Sequence, residues 1–266
     1  MTSIGANPAA RAFIANEFGI NDSIGKIASG SRIPRASDDA AAVAISAVLK
    51  GDNAVLDQGA RNAIQGAAVA QVADGGLARI SDGLTRMKEL AAKAQSGIST
   101  PETRNQINAE FVQIRDEITD IAQQTRFNGE SVLDNTDSKD FQVGTAAGDT
   151  LELQNVDATG SSLGIDGLTL ENPGDAAAAL ASIDSAIDQV SGARADVGAS
   201  ISRFESRFEN IAVQREATQA ANSSLADVDL AEQVSRLASL QTQSKVSAFV
   251  SAQANTSAQY ILRVLD

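Results

Sequence analysis

Leu180, Ile183, Ile187, Val190, Arg194, Val197, Ile201, Phe204, Phe208 and Ile211 follow one another in unbroken steps of three and four residues. That spacing keeps side chains on one side of a helix and excludes a strand, whose faces repeat every two residues. It is the seam of a bundle or coiled coil. Arg194 is its charged member; the stem can pack while the head reaches a carboxylate. The stripe turns polar at Arg215, Thr218 and Asn222, and Asn222–Asp229 reads as a joint. Two more stripes share the spacing: Leu77, Ile80, Leu84, Met87, Ala91, Ala94 and Ile98, then Ile107, Phe111, Ile114, Ile118, Ile121 and Thr125. Upstream of Leu77 no Pro occurs back to Asp39, so one helix over Asp39–Gln95 would be about 85 Å long at ~1.5 Å per residue. Thr100, Pro101 and Glu102 supply an N-cap, a first-turn Pro and a charge that complements the helix dipole. The short link predicts that the next helix folds back antiparallel.

Gly51, Gly59, Gly66, Gly75, Gly76 and Gly83 interrupt the first long helix, each at roughly 1 kcal/mol relative to Ala. They mark either breaks between shorter helices or a small-residue stripe that lets another backbone approach. After Gln124-Thr-Arg-Phe-Asn-Gly129, read as a turn, the period changes. Phe141 and Val143, then Leu151 and Leu153, alternate on either side of a Gly-containing turn, which is a β-hairpin signal. Residues 157–175 read as loop, with strand potential at Leu168-Thr-Leu-Glu171.

Each end carries a helix of its own. The N-terminal one presents Phe13, Phe18, Ile20, Ile24 and Ile27. The C-terminal one presents Val234, Leu237, Leu240, Val246, Phe249, Val250, Tyr260, Ile261, Val264 and Leu265. Single amphipathic helices have nothing local to bury against except each other and neighbouring molecules, so the pattern predicts assembly. The fold class is mainly α: a long antiparallel helical bundle or coiled coil with a small β-hairpin, and terminal helices forming a separate coiled-coil-like layer. The domains expected are 1–37, 38–224 (hairpin and short loop at about 139–172) and 225–266.

Composition narrows the function. The chain has no His and no Cys, which removes the commonest general base, the commonest metal ligand and thiolate chemistry. A net charge of −13 repels phosphate backbones and argues against nucleic acid as a partner. No apolar run approaches the ~20 residues of a membrane span. The first twenty residues lack the basic and apolar regions of a cleaved signal peptide. Asp38 and Asp39 could be a carboxylate pair, but sequence neighbours on a helix do not face each other, and charge at a helix start is the simpler role. Asp227 and Asp229 read the same way. Asp134–Asp140 has the look of a Ca²⁺ loop but carries Lys139 where Gly is required. No catalytic, cofactor-binding or metal residues are assigned, and the chain is not expected to be an enzyme.

The stretch Ile24–Ser46, IGKIASGSRIPRASDDAAAVAIS, resembles the N-terminal signature of bacterial flagellins. QTRFNGESVL at 124–133 is similar to the family's turn, FQVGTAAGDTLEL at 141–153 to its hairpin, and Val228–Leu262 to its C-terminal helix. Ala42 stands where the family often has Gly, and Asp266 where a basic residue is common. The resemblance implies a secreted structural subunit, exported unfolded by the flagellar type III apparatus with an export chaperone. It implies polymerisation with itself or other flagellins, beside cap and hook-associated proteins, into a helical motility filament. The terminal helices would line the inner tube, with no outer domains. Ser29, Gly30, Arg32, Ile33, Asp38 and Asp39 would form the spoke between layers. Arg86, Leu90 and Glu110 match residues recognised by flagellin-sensing Toll-like receptors in some members. Two rivals are a hook–filament junction protein, which shares the terminal helices, and a coiled-coil signalling rod, which would lack the hairpin.

Overall fold

The structure, a computed structural model, describes the backbone of residues 8–265 and the side chains of residues 11–254, 256 and 257. The element order is α1 (Pro8–Ser29), α2 (Ala40–Gln95), α3 (Pro101–Gln124), β1 (Arg126–Phe127), β2 (Glu130–Ser131), β3 (Ser138–Gln142), β4 (Thr150–Gln154), α4 (Pro173–Ala226) and α5 (Leu230–Leu265). The chain divides into two units, residues 54–215 and residues 1–53 with 216–266.

In the unit 54–215, side-chain contacts fix the directions of three helices. Gly83 meets Ile118 and Ile114, and Gly76 meets Thr125, so α3 runs antiparallel to α2. Asp57 pairs with Arg215 at 2.5 Å, Asp74 with Arg194 at 2.8 Å and Lys88 with Asp184 at 2.5 Å, so α4 is antiparallel to α2 as well. Leu77, Ile80, Leu84, Met87, Ala91 and Ala94 are fully buried, with Ile107, Phe111 and Ile118 of α3. On α4 the deepest large side chains are Ile183, Val190, Val197, Phe204 and Ile211, every seventh residue, while Leu180, Ile187 and Ile201 are half-buried. Thr100 caps α3 through the Thr103 amide, with Pro101 in the first turn.

Two members of the predicted stripes leave the core. Phe208 is 39% exposed, because the buried row on α4 is narrower than the three-four stripe. Ile98 is 92% exposed, because α2 ends at Gln95 and Ile98 lies in the turn beyond it.

The β3–β4 hairpin pairs Phe141 with Leu151 and Lys139 with Leu153, as the alternation implies, with Val143 buried just past β3. The Phe127–Glu130 connection is more than a turn. Arg126 pairs with Ser131 and Phe127 with Glu130 in a second small hairpin. Asn128 and Gly129 both take positive φ (51° and 84°), the signature of a two-residue hairpin turn. Leu168–Glu171 is not a strand: the Leu170 amide donates to Asn108 Oδ1 (2.7 Å), tying the segment to α3 instead of to a sheet.

The helical glycines break nothing; α2 is continuous. At Gly59 the backbone of Val143 is the neighbour, 3.2 Å from where a Cβ would lie. At Gly66, Gly76 and Gly83 side chains fill the space, and at Gly51 and Gly75 it is open.

In the unit of residues 1–53 and 216–266, α1 and α5 lie antiparallel: Ser244 Oγ donates to Glu17 Oε1 (2.9 Å) and Leu240 packs on Gly19. Ser46 Oγ donates to Asn222 Oδ1 (2.7 Å). Helix α4 continues through Asn222, Ser223 and Ser224, so the joint is shorter than the polar stretch implied and covers Asp227–Asp229 alone. Among the described residues no helix is long and apolar enough to cross a membrane.

Candidate assembly surface

Asp39 ends the α1–α2 connection as a helix cap. Its Oδ1 accepts the Ala42 amide (2.9 Å) and its carbonyl accepts that of Val43 (3.0 Å). Asp38 Oδ2 accepts the Arg35 amide (3.2 Å). Asp229 Oδ1 likewise accepts the amides of Ala231 (2.9 Å) and Glu232 (3.1 Å) at the start of α5. Asp38, Asp39 and Asp229 are thus occupied by backbone donors, and Asp227 accepts the Ser223 hydroxyl. Asp134–Asp140 is a braced turn in which Asn135 Oδ1 accepts the Asp137 amide and the Asn155 side chain.

The joint itself is an array of cross-links. The Arg32 amide donates to Ala226 O (2.7 Å), and its guanidinium donates twice to Leu225 O (2.7 and 3.2 Å). Ser31 Oγ donates to Ala226 O (3.2 Å), and the Val228 amide to Gly30 O (3.2 Å). Ser29 Oγ accepts the Ser31 amide, and Ile33 is half-buried. Arg32 thus caps the C-terminus of α4, where a cation is favoured. Sequence reasoning placed Arg32 in the joint without finding this role, because its partners are carbonyls some 193 residues away in the chain.

The expected terminal-helix residues separate into two groups. Ile20, Ile27, Leu237 and Leu240 are half-buried. Phe18 (73%), Phe249 (71%), Val246, Val234, Val250, Ile24 and Phe13 are exposed. Ile14 and Leu230 belong with the exposed group and were missed; each stands four residues before a recognised member, Phe18 and Val234. The side chains of Tyr260, Ile261, Val264 and Leu265 lie outside the described residues.

On α2 and α3, Arg86 bonds Glu110 Oε1 (2.8 and 3.1 Å) and Glu89 Oε2 (2.8 Å) at the surface. Donating to Glu110, and then to Glu89, raises the Arg86 pKa above its ordinary value. Leu90, expected on the same surface, is instead buried in the core, because it falls on the inward row of α2.

Residues 2–138 match the description "Bacterial flagellin N-terminal helical region", and residues 180–265 match "Bacterial flagellin C-terminal helical region". The chain belongs to the bacterial flagellin family. A 30.7 kDa flagellar filament core protein of Treponema maltophilum is 33% identical over 100% of this chain and 98% of its own length. A flagellin of Bacillus subtilis is 33% identical over 90% of each. The crystal structure of Bacillus cereus flagellin aligns with a TM-score of 0.53 at 31% identity, over 57% of this flagellin and 88% of that chain. A putative flagellar hook-associated protein of Vibrio parahaemolyticus shares the fold at 17% identity, with a TM-score of 0.61 over 71% of this chain and all of its own. Flagellins are structural subunits that assemble into the extracellular flagellar filament and are not enzymes.

Proposed function

We propose that the exposed apolar residues of α1 and α5 are the contacts through which copies of this flagellin polymerise, with residues 1–37 and 225–266 forming the inner tube and residues 38–224 the surrounding layer. The supporting observation is the pair Phe18 and Phe249, each more than two-thirds exposed on helices that already contact one another. Burying an aromatic side chain of this kind is worth roughly 1.5–3 kcal/mol, and the same faces repeat in every copy. The −13 charge opposes close packing at low ionic strength, so salt should promote assembly.

Export as an unfolded chain through the flagellar type III apparatus, with a chaperone, fits a sequence that has no Cys to cross-link. Arg86 and Glu110, both exposed, would face a flagellin-sensing Toll-like receptor. Cap and hook-associated proteins would meet the same terminal helices at the filament ends.

The test is assembly of the purified chain, seeded with short filament fragments or salt and viewed by negative-stain electron microscopy. Long tubes of uniform width are expected from the full chain, and none from chains lacking 1–37 or 225–266. Filaments of normal diameter from either truncation would overturn the inner-tube assignment. Full-length protein that stays monomeric while folded would favour a junction subunit that needs another partner.

A further inference from the structure

Asn128 is the one asparagine in the chain that is followed by Gly. Among the described residues it is also the one non-glycine at positive φ, 51°. Its side chain is exposed. Among the described residues no hydrogen bond engages that side chain or the Gly129 amide. The β1–β2 ladder uses Phe127 and Glu130, so the Gly129 amide lies outside it. Nothing stands within 4 Å of where a Cβ on Gly129 would be. An unhindered backbone nitrogen thus follows directly on an unhindered side-chain amide.

We propose that Asn128 is a self-modification site, converted to aspartate or isoaspartate by attack of the Gly129 nitrogen on its Cγ. The N–Cγ bond forms as the Cγ–Nδ2 bond breaks, and the Gly129 amide proton leaves with the ammonia. Water then opens the five-membered imide at one of its two C–N bonds. Opening at the new bond gives aspartate; opening at the original peptide bond gives isoaspartate. Only water is consumed, and no oxidant or reductant takes part. An L residue favours negative φ, and just two residue pairs hold Asn128 away from it. Ring closure therefore passes through a locally opened turn, which so short a ladder permits.

The two products differ in what they do to the turn. Aspartate tolerates positive φ much as asparagine does, so the hairpin survives it. Isoaspartate adds a carbon to the main chain of a loop whose register admits two residues. The turn leads straight into Val132 and Leu133, both buried. The Val132 amide donates to Thr125 O (3.2 Å), and Leu133 fills the space beside Gly76. Isoaspartate would loosen that corner, and in a filament the change would accumulate with age. The ageing consequence rests on the assembly proposed above; the chemistry does not.

The folded full chain, kept monomeric at mildly alkaline pH, is sampled over weeks and digested with trypsin. Cleavage after Arg126 and Lys139 delivers Asn128 and a control, Asn135, on one peptide. Asn135 precedes Thr, and its Oδ1 accepts the Asp137 amide and the Asn155 side chain. Mass spectrometry should show Asn128 converting at least on the order of tenfold faster than Asn135, because Gly alone puts no side chain beside the attacking nitrogen. Both aspartate and isoaspartate should form, and conversion should slow as the pH is lowered to neutral. Gly129→Ala should suppress it. Hydrogen exchange at Val132 should quicken in the isoaspartate fraction and match the parent in Asn128→Asp. Equal conversion of Asn128 and Asn135 would overturn the proposal. So would Asn128 left intact in the folded chain when a free QTRFNGESVL peptide has fully converted. The comparison with Asn135 is made within the parent chain, so it decides even if Gly129→Ala does not fold. It is read on monomers, so it also decides if the chain does not polymerise.

Discussion

The ring of Phe204 occupies the space that a side chain at position 66 would need: a Cβ on Gly66 would lie 2.4 Å from the ring. The same ring meets Phe141 of the hairpin edge-on, with centroids 5.3 Å apart and planes at 86°. One α4 residue thus joins α2, α4 and β3. Phe204→Ala should destabilise the chain by about 3–5 kcal/mol. Phe208→Ala, at a position 39% exposed, should cost less than half of that. Urea unfolding of the two variants checks the difference.

Glycines on the same helix should respond with opposite sign. Gly66→Ala forces the Phe204 ring to shift and should cost about 1–3 kcal/mol. Gly75 faces open space within α2, so Gly75→Ala should stabilise by about 0.5–1 kcal/mol. Thermal melts of both variants read the sign directly.

Asp39 should behave as a cap and not as a catalyst. Asp39→Ala should cost about 0.5–2 kcal/mol, with faster amide exchange confined to the first turn of α2, while Asp39→Asn keeps most of the stability. Hydrogen-exchange mass spectrometry on both variants distinguishes local fraying from global loss.

The Lys139 hydrogen bond, reinforced by its charge, holds the Glu130 carboxyl below its ordinary value of 4.5. A depressed folded-state pKa contributes stability that is present above the unfolded value and lost as pH falls through the folded one. The midpoint of Glu130 in an NMR titration should therefore lie below 4.5 and return to the ordinary range in Lys139→Met. The group is exposed, so the effect on stability should be slight.

Assembly and stability should separate at the terminal helices. Phe18→Ser or Phe249→Ser should leave the monomer melting curve within about 0.5 kcal/mol of the parent and abolish seeded filament growth. A variant that melts early would place that side chain inside the monomer core instead.

Much of this was legible from spacing alone. The buried residues from Leu77 to Ala94 lie on the expected stripe, and Phe141 and Leu151 pair across the expected hairpin. What spacing could not supply was set by distant partners. Phe208 fits the pattern as well as Phe204, but Gly66 and Phe141 make room for the Phe204 ring alone. Leu168–Glu171 has strand composition, but Asn108, some 62 residues earlier, takes the Leu170 amide. Asn222 to Ser224 read as a joint by composition, yet they stay helical, with Asn222 bonded to Ser46. The terminal faces were visible as periodic rows; which members turn toward the partner helix depended on where Gly19 leaves room for Leu240.

The buried row on α4 returns every seven residues, from Ile183 to Ile211. A straight helix slips about 20° per seven residues, or roughly 80° over this row, so keeping it inside requires α4 to wind left-handed around its neighbours. The row therefore tolerates whole heptads and nothing smaller. Deleting one residue between Val190 and Val197 would turn everything beyond it by about 100° and swing Phe204 away from Gly66. Removing seven would shorten α4 and keep its buried row on one side.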